Sequence, residues 1–136
     1  MSPANGRGRK PPIMICESDH EKLTRLAEAS AHTNPVVSEE LLTELDRARV
    51  VPDSGLREDV VRMGSTLRYV SDSGERRTVT LVYPADADIS AGKVSVLTPI
   101  GAALIGLSPG QSIDWQTRDG RLHRLAVEGV GEGQIS

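Results

Sequence analysis

The feature that most constrains this fold is a change in hydrophobic period near residue 51. Before it, apolar side chains recur at the three- and four-residue intervals of amphipathic helices. After the turn-rich segment Val51-Pro52-Asp53-Ser54-Gly55, the pattern is that of short strands separated by glycine-containing turns. Helices at one end and strands at the other predict an α+β fold, in which a helical hairpin precedes a small antiparallel sheet holding one short helix.

Two helices are predicted in the first part of the chain. Ser18 and Glu21 have the spacing of a capping box, a hydroxyl followed three residues later by a carboxylate, which predicts that the first helix starts at Ser18 and ends near Ala31. Asn34-Pro35 then breaks the chain, and a second apolar stripe runs to about Arg49. Two helices of about 14 residues, each rising 1.5 Å per residue, make a hairpin only about 20 Å long.

The remaining elements are mainly strands. They are expected at residues 13–15, 66–71, 76–83, 93–97, 112–117 and 122–130, with a further candidate strand at residues 60–63. Turns at Asp72-Ser73-Gly74 and Asp119-Gly120 join two hairpins. A short helix is expected at residues 100–105, with Thr98 as its N-cap, Pro99 in the favoured first position and Gly106 closing it.

Composition excludes several classes of function. With 16 Lys+Arg against 19 Asp+Glu, the net charge of −3 leaves no basic surface of the kind that nucleic-acid binding requires. The chain has only three aromatic residues, Tyr69, Tyr83 and Trp115, which is too few for a base-stacking module or an aromatic-lined pocket. All three fall on predicted strands, where we expect them to fill the core or brace its faces.

Cysteine content and the chain ends point to a cytoplasmic protein. Cys16 is the only cysteine, so an intrachain disulfide is excluded and a reducing compartment is expected. Residues 1–11 are interpreted as a disordered basic tail without the apolar region of a secretory signal, and residues 132–136 as a second disordered tail. The uncharged run 94–113 is long enough to span a bilayer, but its prolines, glycines and polar residues predict a strand, a helix and a turn instead.

Residues that could carry chemistry are few, and we predict neither a catalytic nor a metal site. Cys16 and His20 are four residues apart, yet Cys16 precedes the predicted helix, so a buried structural cysteine is the favoured interpretation. Asp86 and Asp88 could bind a divalent cation but lie in a loop where acids commonly cap turns. His123 is expected on a strand surface. Glycine-rich phosphate-binding motifs are absent from the sequence, and no cofactor is expected.

Several ordered motifs resemble one known family. Residues 98–106, Thr-Pro-Ile-Gly-Ala-Ala-Leu-Ile-Gly, follow a strand and precede Gly110-x-Ser112-Ile113-x-Trp115. This order resembles the strand-Ser/Thr-Pro-Ile/Val-x-x-Ala-Leu-x-Gly signature of the C-terminal domain of the Gre transcript-cleavage factors. The likeness is most specific to the nucleoside diphosphate kinase regulator (Rnk) branch, and it extends from about Pro12 to Gly131. The supporting motifs are Glu44-Leu45-Asp46-Arg47-Ala48, Asp59-Val60-Val61-x-Met63-x-Ser65, Thr80-Leu81-Val82-Tyr83-Pro84 and residues 99–107.

The resemblance implies an arrangement and a partner. Residues 12–52 would form a short strand and an antiparallel coiled-coil hairpin, and residues 53–131 an FKBP-like domain. Family members bind RNA polymerase near its secondary channel, with the domain on the rim and the coiled coil pointing inward. The resemblance therefore implies a monomeric, non-enzymatic regulator of nucleoside diphosphate kinase that competes with Gre-type factors, without direct nucleic-acid or membrane binding.

The hairpin tip departs from the Gre pattern. Gre factors present two acids at the tip that help to hold a catalytic magnesium ion, whereas the tip expected here, His32, Thr33, Asn34 and Pro35, contains no acid. Glu39 and Glu40 follow only in the second helix, where carboxylates commonly complement the helix dipole. We therefore expect no stimulation of transcript cleavage. Prolyl isomerase activity is also not expected, because three scattered rings are too few to form an aromatic cage around proline.

The contact with polymerase is predicted at the start of the short helix, through Thr98, Pro99, Ile100 and Gly101. A fixed turn there presents small residues and backbone N–H groups, although helix capping alone would also explain these residues. Two other functions stay open at this point. The chain could be an active cleavage cofactor of stalled polymerase, or it could act on nucleotide metabolism without touching polymerase.

Overall fold

The computed structural model describes residues 11–116 and 119–131. Those residues form two short paired strands with two helices between them, and a five-stranded sheet with one short helix. The elements are β1 (Met14–Cys16), α1 (Glu17–Ala29), α2 (Pro35–Arg47), β2 (Arg49–Val51), β3 (Thr66–Ser71), β4 (Arg76–Val82), β5 (Lys93–Ser95), α3 (Pro99–Leu104), β6 (Ser112–Gln116) and β7 (Leu122–Val130). The predicted α+β class, a helical hairpin followed by a sheet, is confirmed.

The five-stranded sheet has the order β5-β4-β3-β7-β6 and is not wholly antiparallel. Strands β3, β4, β6 and β7 pair antiparallel, as predicted, but β5 runs parallel to β4. The chain between β4 and β5 makes two 3-10 turns, Pro84–Asp86 and Ile89–Ala91, and so returns to a point beside Thr80, in the second half of β4, before β5 begins. Because of this crossover, β5 runs opposite to the direction expected for a wholly antiparallel sheet.

Further boundaries differ from the predictions. The strand predicted at residues 93–97 ends at Ser95. Arg49 lies in β2, which pairs parallel with β1, and not at the end of a helix. Tyr83 follows β4 instead of belonging to it. Residues 60–63 form no strand: Val61 N–H donates to Leu107 O at 2.8 Å and Val61 O accepts from Gly106 N–H at 2.9 Å, so this segment is bonded to the chain leaving α3. Residue 117 of the strand predicted at 112–117 lies outside the described residues.

The larger of two apolar clusters joins the hairpin to the sheet. Leu23 and Leu41 of the two long helices are fully buried in the same cluster as Leu67 and Leu125 of the sheet. Tyr69 belongs to this cluster, and Tyr83 and Trp115 pack against it, as expected for the three rings. Within the described part of the chain, none of the helices has the length and apolar character needed to cross a bilayer.

The capping box predicted at Ser18 does not form. Helix α1 begins at Glu17, after Cys16, so Ser18 lies in its first turn and its N–H needs an acceptor from elsewhere. That acceptor is Asp53 Oδ1, 3.0 Å away and 35 residues later, on the 3-10 turn Asp53–Gly55. Hydrogen bonds from the Ser18 hydroxyl and N–H lower the pKa of Asp53 below 3.8. Asp53, a residue distant in sequence, thus provides the capping at the start of α1 that the local pattern predicted for Ser18 and Glu21.

Replacing Asp53 with asparagine should therefore weaken the fold in a pH-dependent way. A carboxylate whose pKa is lower in the folded than in the unfolded chain adds stability above 3.8, and this is lost as the pH falls through the folded value. We expect Asp53→Asn to lower the urea midpoint at neutral pH and to approach wild type as the pH drops below 3.8. Glu58→Gln, which removes a charge from another exposed loop position, serves as control. A pH-independent deficit for Asp53→Asn would contradict this role.

Candidate functional site

The turn that leads into α3, residues 98–101 (the 98–101 turn), is closed by one hydroxyl group. Thr98 Oγ1 donates to Ser95 O at 2.7 Å and accepts from Gly101 N–H at 3.0 Å. The Thr98 carbonyl accepts from Ala102 N–H at 2.8 Å. Thr98 is thus the N-cap of α3, with Pro99 in the first helical position, as predicted.

The four predicted contact residues are not equally accessible. Thr98, Pro99 and Ile100 are half-buried, whereas Gly101 is buried. A Cβ atom at Gly101 would lie 2.0 Å from Ser95 O, so only glycine lets this turn approach β5 so closely. Ile100 also packs against the core. The surface that this turn offers therefore centres on the Pro99 ring, and packing against Ser95 accounts for the glycine.

The hairpin tip, residues 31–36, is exposed at every position. His32, Thr33, Asn34 and Pro35 lie together there, and the N–H groups of Thr33 and Asn34 both donate to Ser30 O, at 3.1 and 2.8 Å. No carboxylate belongs to this segment. Chemically, the tip can offer an imidazole, an amide and a hydroxyl, but not the carboxylate oxygens that a magnesium ion prefers.

Polar side chains anchor the base of the hairpin. Asp19 Oδ2 accepts from Met63 N–H at 3.2 Å, which joins α1 to the segment before β3. Arg47 donates through Nη1 to Pro11 O at 2.6 Å and through Nε to the buried Glu44 at 2.8 Å, which joins α2 to the start of the described chain. The hairpin is therefore bound to the rest of the protein at its base and exposed at its tip.

The structure does not bring Cys16 and His20 together as a nucleophile and base. Cys16 is fully buried, and its Sγ lies 3.6 Å from Arg62 Nη2 and 3.8 Å from Ser18 Oγ. The His20 ring instead bonds through Nε2 to Leu45 O at 3.1 Å. Each residue is occupied in packing or in joining elements.

One of the two acids in the loop between β4 and β5, Asp88, is hydrogen-bonded within the loop. Asp86 and Asp88 are exposed, and Asp88 Oδ1 accepts from the N–H and hydroxyl of Ser90 at 3.1 and 2.7 Å. The Ser90 hydroxyl is the main cause that lowers the pKa of Asp88. Within residues 11–116 and 119–131, no three His, Cys, Asp or Glu side chains are grouped in a way that could hold a metal ion.

A cleft of about 490 Å³ opens at one end of the five-stranded sheet. Its lining is Tyr69, Ser71, Asp72, Ser73, Glu75, Arg77, Trp115, Arg121, Leu122 and His123. The Trp115 and His123 rings lie side by side, with centroids 5.1 Å apart and planes tilted by 30°. Burial, partly offset by nearby Arg77, raises the pKa of the Tyr69 hydroxyl. Two of the three aromatic residues, Tyr69 and Trp115, thus line the same cleft.

Sequence reasoning missed this cleft, although alternation contained part of the signal. Successive side chains of a strand point to opposite faces, so Tyr69, Arg77, Trp115 and His123 share the face of the buried residues two positions away on their own strands. That periodicity places all four on one face of the sheet. Their convergence depends on strand order and register, which a single sequence does not contain.

Comparison with known proteins accounts for nearly all of the described chain. The sequence profile described as "Transcription elongation factor, GreA/GreB, C-term" matches residues 56–131, and the profile "Rnk N-terminus" matches residues 11–51. A protein named regulator of nucleoside diphosphate kinase, from Escherichia coli strain K12, is 39% identical over 120 residues, which cover 87% of this chain and 88% of that protein.

Relatives and structures named as elongation factors are also similar. Transcription elongation factor GreA from Rhodospirillum rubrum is 39% identical over 102 residues, which cover 71% of this chain and 65% of that protein. A solved structure described as prokaryotic transcription elongation factor GreA/GreB from Nitrosomonas europaea superposes with a TM-score of 0.69 at 39% identity, covering 87% of this chain and 98% of that one. The named relatives are regulators and transcription factors.

Proposed function

We propose, since the chain belongs to the Rnk branch of the GreA/GreB family, that it is a non-enzymatic regulator of nucleoside diphosphate kinase that acts through RNA polymerase. It binds near the secondary channel, competes there with Gre-type factors and modulates transcription without stimulating transcript cleavage. In this proposal residues 12–52 form a coiled-coil hairpin and residues 53–131 form an FKBP-like unit. The protein acts as a monomer and is located in the cytoplasm.

The observation that carries the proposal is the hairpin tip. It is exposed and holds no carboxylate, and the 13-residue helices behind it are only about 20 Å long at 1.5 Å per residue. A magnesium ion needs oxygen ligands, of which carboxylates are the most common. A tip of this kind can occupy a channel but has no carboxylate with which to position a catalytic magnesium ion there.

A competition assay on polymerase tests this proposal directly. The protein is added to a stalled elongation complex, with and without a Gre factor, and transcript length and bound protein are both measured. We expect retention by polymerase, displacement by excess Gre factor, and no shortening of the transcript by the protein alone. Absence of retention would remove polymerase from the proposal and favour an action on nucleotide metabolism.

Replacing Pro99 with asparagine should reduce retention by polymerase. The half-buried Pro99 ring is the group of the 98–101 turn that we expect polymerase to contact, and losing an apolar contact at the centre of an interface typically weakens binding by roughly tenfold or more. Asparagine at the first helical position leaves the Thr98 cap in place, so the fold should persist. The measurement is the fraction of protein retained by immobilised core polymerase over a concentration series.

Pro84→Asn is the matched control, because Pro84 is exposed and also occupies the first position of a helical turn, Pro84–Asp86. Wild-type retention is expected for this variant. Undiminished binding by folded Pro99→Asn would remove the 98–101 turn from the proposed interface while leaving polymerase binding itself intact.

A second candidate function is that of an active elongation or cleavage factor. It is favoured by the 39% identity to a protein named transcription elongation factor GreA over 71% of this chain. Shortened transcripts in the stalled complex would establish it and would overturn the interpretation of the carboxylate-free tip. Competition with Gre factor without shortening favours the regulator.

A further inference from the structure

The loop between β4 and β5 carries the most exposed large apolar side chain of the described residues. Ile89 is 93% exposed, and the next such side chain, Val36 at the hairpin tip, is 67% exposed. An isolated apolar side chain on a protein surface is common and needs no explanation by itself. Ile89 is distinguished by the backbone that carries it and by its position in the sheet.

The backbone on both sides of Ile89 is fixed by hydrogen bonds. Asp88 N–H donates to Lys93 O at 3.0 Å and Lys93 N–H donates to Asp88 O at 2.9 Å, which closes the loop at its base. Gly92 N–H donates to Ile89 O at 3.0 Å, and Gly92 O accepts from Thr80 N–H of β4 at 2.8 Å. Because the loop is ordered before a partner arrives, little backbone entropy is lost when Ile89 is bound.

The neighbours of Ile89 in the loop do not cover it. Positions 85, 87 and 91 are exposed alanines. Asp86 and Asp88 place two exposed carboxylates on the same loop, and the exposed Lys93 offsets one of these charges. The partner surface that fits this loop is therefore an apolar socket with a basic side chain or an N–H group at its rim.

Ile89 lies at the same edge of the sheet as the 98–101 turn. β5 is an edge strand, the Asp88–Lys93 pair places Ile89 beside its first residue, and Thr98 follows its last residue by three positions. The five residue steps from Lys93 to Thr98 span at most about 18 Å. An interface of standard size covers about 800 Å² of each partner, which corresponds to a patch roughly 30 Å across. One interface can therefore include both positions.

We propose that Ile89 is a second anchor of the polymerase contact, which enters an apolar socket on polymerase while the 98–101 turn binds beside it. This inference rests on the function proposed above. A few buried anchors supply most of the binding energy of an interface, and the residues around them contribute little. Pro84 and the alanines of the loop belong to the second group, so substitutions there should change binding little.

Serine substitution at position 89 tests the anchor. Full-length Ile89→Ser and wild type are compared for binding to immobilised core polymerase over a concentration series. Leu122→Ser is the matched control, because Leu122 is also aliphatic and is 50% exposed on β7, three strands away from β5. We expect the dissociation constant to rise roughly tenfold for Ile89→Ser and to stay unchanged for Leu122→Ser. Both variants should keep the wild-type urea midpoint, since neither side chain is buried.

The outcomes separate this inference from the proposed function. Wild-type affinity of folded Ile89→Ser, or an equal loss of affinity in both variants, would overturn the anchor and leave polymerase binding itself intact. Failure of polymerase to retain the wild-type protein would overturn both.

A fluorescent label at the same position gives a second measurement. Cys16 is the only cysteine of the chain and is fully buried, so Ile89→Cys offers one accessible thiol to the reagent. The emission of an environment-sensitive dye there should shift to the blue when saturating core polymerase is added, whereas the same dye on Leu122→Cys should not respond. Loss of retention caused by the label at position 89 alone would also support the contact. An unshifted emission from labelled Ile89→Cys that polymerase retains would overturn it.

Discussion

Replacing Gly101 with alanine is expected to destabilise the protein by about 3 kcal/mol or more, as overpacking against an immovable neighbour does. The added Cβ would lie 2.0 Å from the Ser95 carbonyl oxygen and 2.9 Å from Thr98 Oγ1. The first atom belongs to the backbone at the end of β5 and the second to the cap of α3, and Thr98 Oγ1 already bonds both Ser95 O and Gly101 N–H. Since neither atom can move away without breaking the cap of α3, the strain should spread through the 98–101 turn.

Urea denaturation of Gly101→Ala beside Gly74→Ala measures this effect. Gly74 has a φ of +88° and no heavy atom within 4 Å of an added Cβ, so its substitution carries only the backbone cost of about 1 to 2 kcal/mol. Similar midpoints for the two variants would show that the turn can relax. A much lower urea midpoint for Gly101→Ala would mean that this variant is partly unfolded. Weaker polymerase binding by a Gly101 variant would then reflect unfolding and not the loss of a direct contact.

Truncating Leu41 to alanine should cost about 3 kcal/mol, the usual range for a buried leucine being 2 to 5. Leu41 is fully buried on α2, in the core cluster that also contains Leu67 and Leu125 of the sheet. Because one core joins the two parts, loss of packing in the hairpin should lower the stability of the sheet as well. We therefore expect the whole protein to unfold earlier and in one step.

Two probes separate this result from local loosening of the hairpin. Far-UV circular dichroism is dominated by the helices, and Trp115 fluorescence reports on β6 of the sheet. Coincident urea transitions, both shifted in Leu41→Ala, are expected. Thr43→Ala, at an exposed position of the same helix, should leave both nearly unchanged. An earlier helix transition with an unshifted Trp115 transition would mean that the hairpin folds independently.

Local rules predicted the elements whose partners lie nearby in the chain. Thr98 and Pro99 define the start of α3, and the structure has the expected cap and first position. The predicted closing role of Gly106 is not seen: the extended Ile105 ends α3 after Leu104, and Gly106, at φ +83°, belongs to the turn that follows. The start of α1 illustrates the opposite case. The capping box at Ser18 satisfied a local rule, yet Asp53 supplies the acceptor because the 3-10 turn after β2 returns to the first turn of α1. Such a long-range bond leaves no periodic signal in the sequence.

The parallel β5 and the cleft could not be predicted for the same reason. Alternation of apolar and polar residues indicates which face of the sheet a side chain occupies. The direction of β5, by contrast, follows from the path of residues 83–92. The position of Tyr69, Trp115 and His123 around one cleft follows from the order of the strands. The 98–101 turn is intermediate. Its conformation was predicted correctly from the cap, whereas its contact with polymerase remains a prediction that only a binding measurement can test.

The hairpin is hydrogen-bonded to the rest of the protein at its base, and its tip is exposed. The distance from base to tip can therefore change without a change in the rest of the fold. Asp19 and Arg47 hold the base, while no residue of the segment 31–36 is buried. Inserting seven residues into each helix before the tip would move it outward by about 10 Å and restore nearly the same angular position, since seven residues make close to two turns. The distance between the tip and the base can therefore be changed by insertion while the bonds that hold the base stay in place.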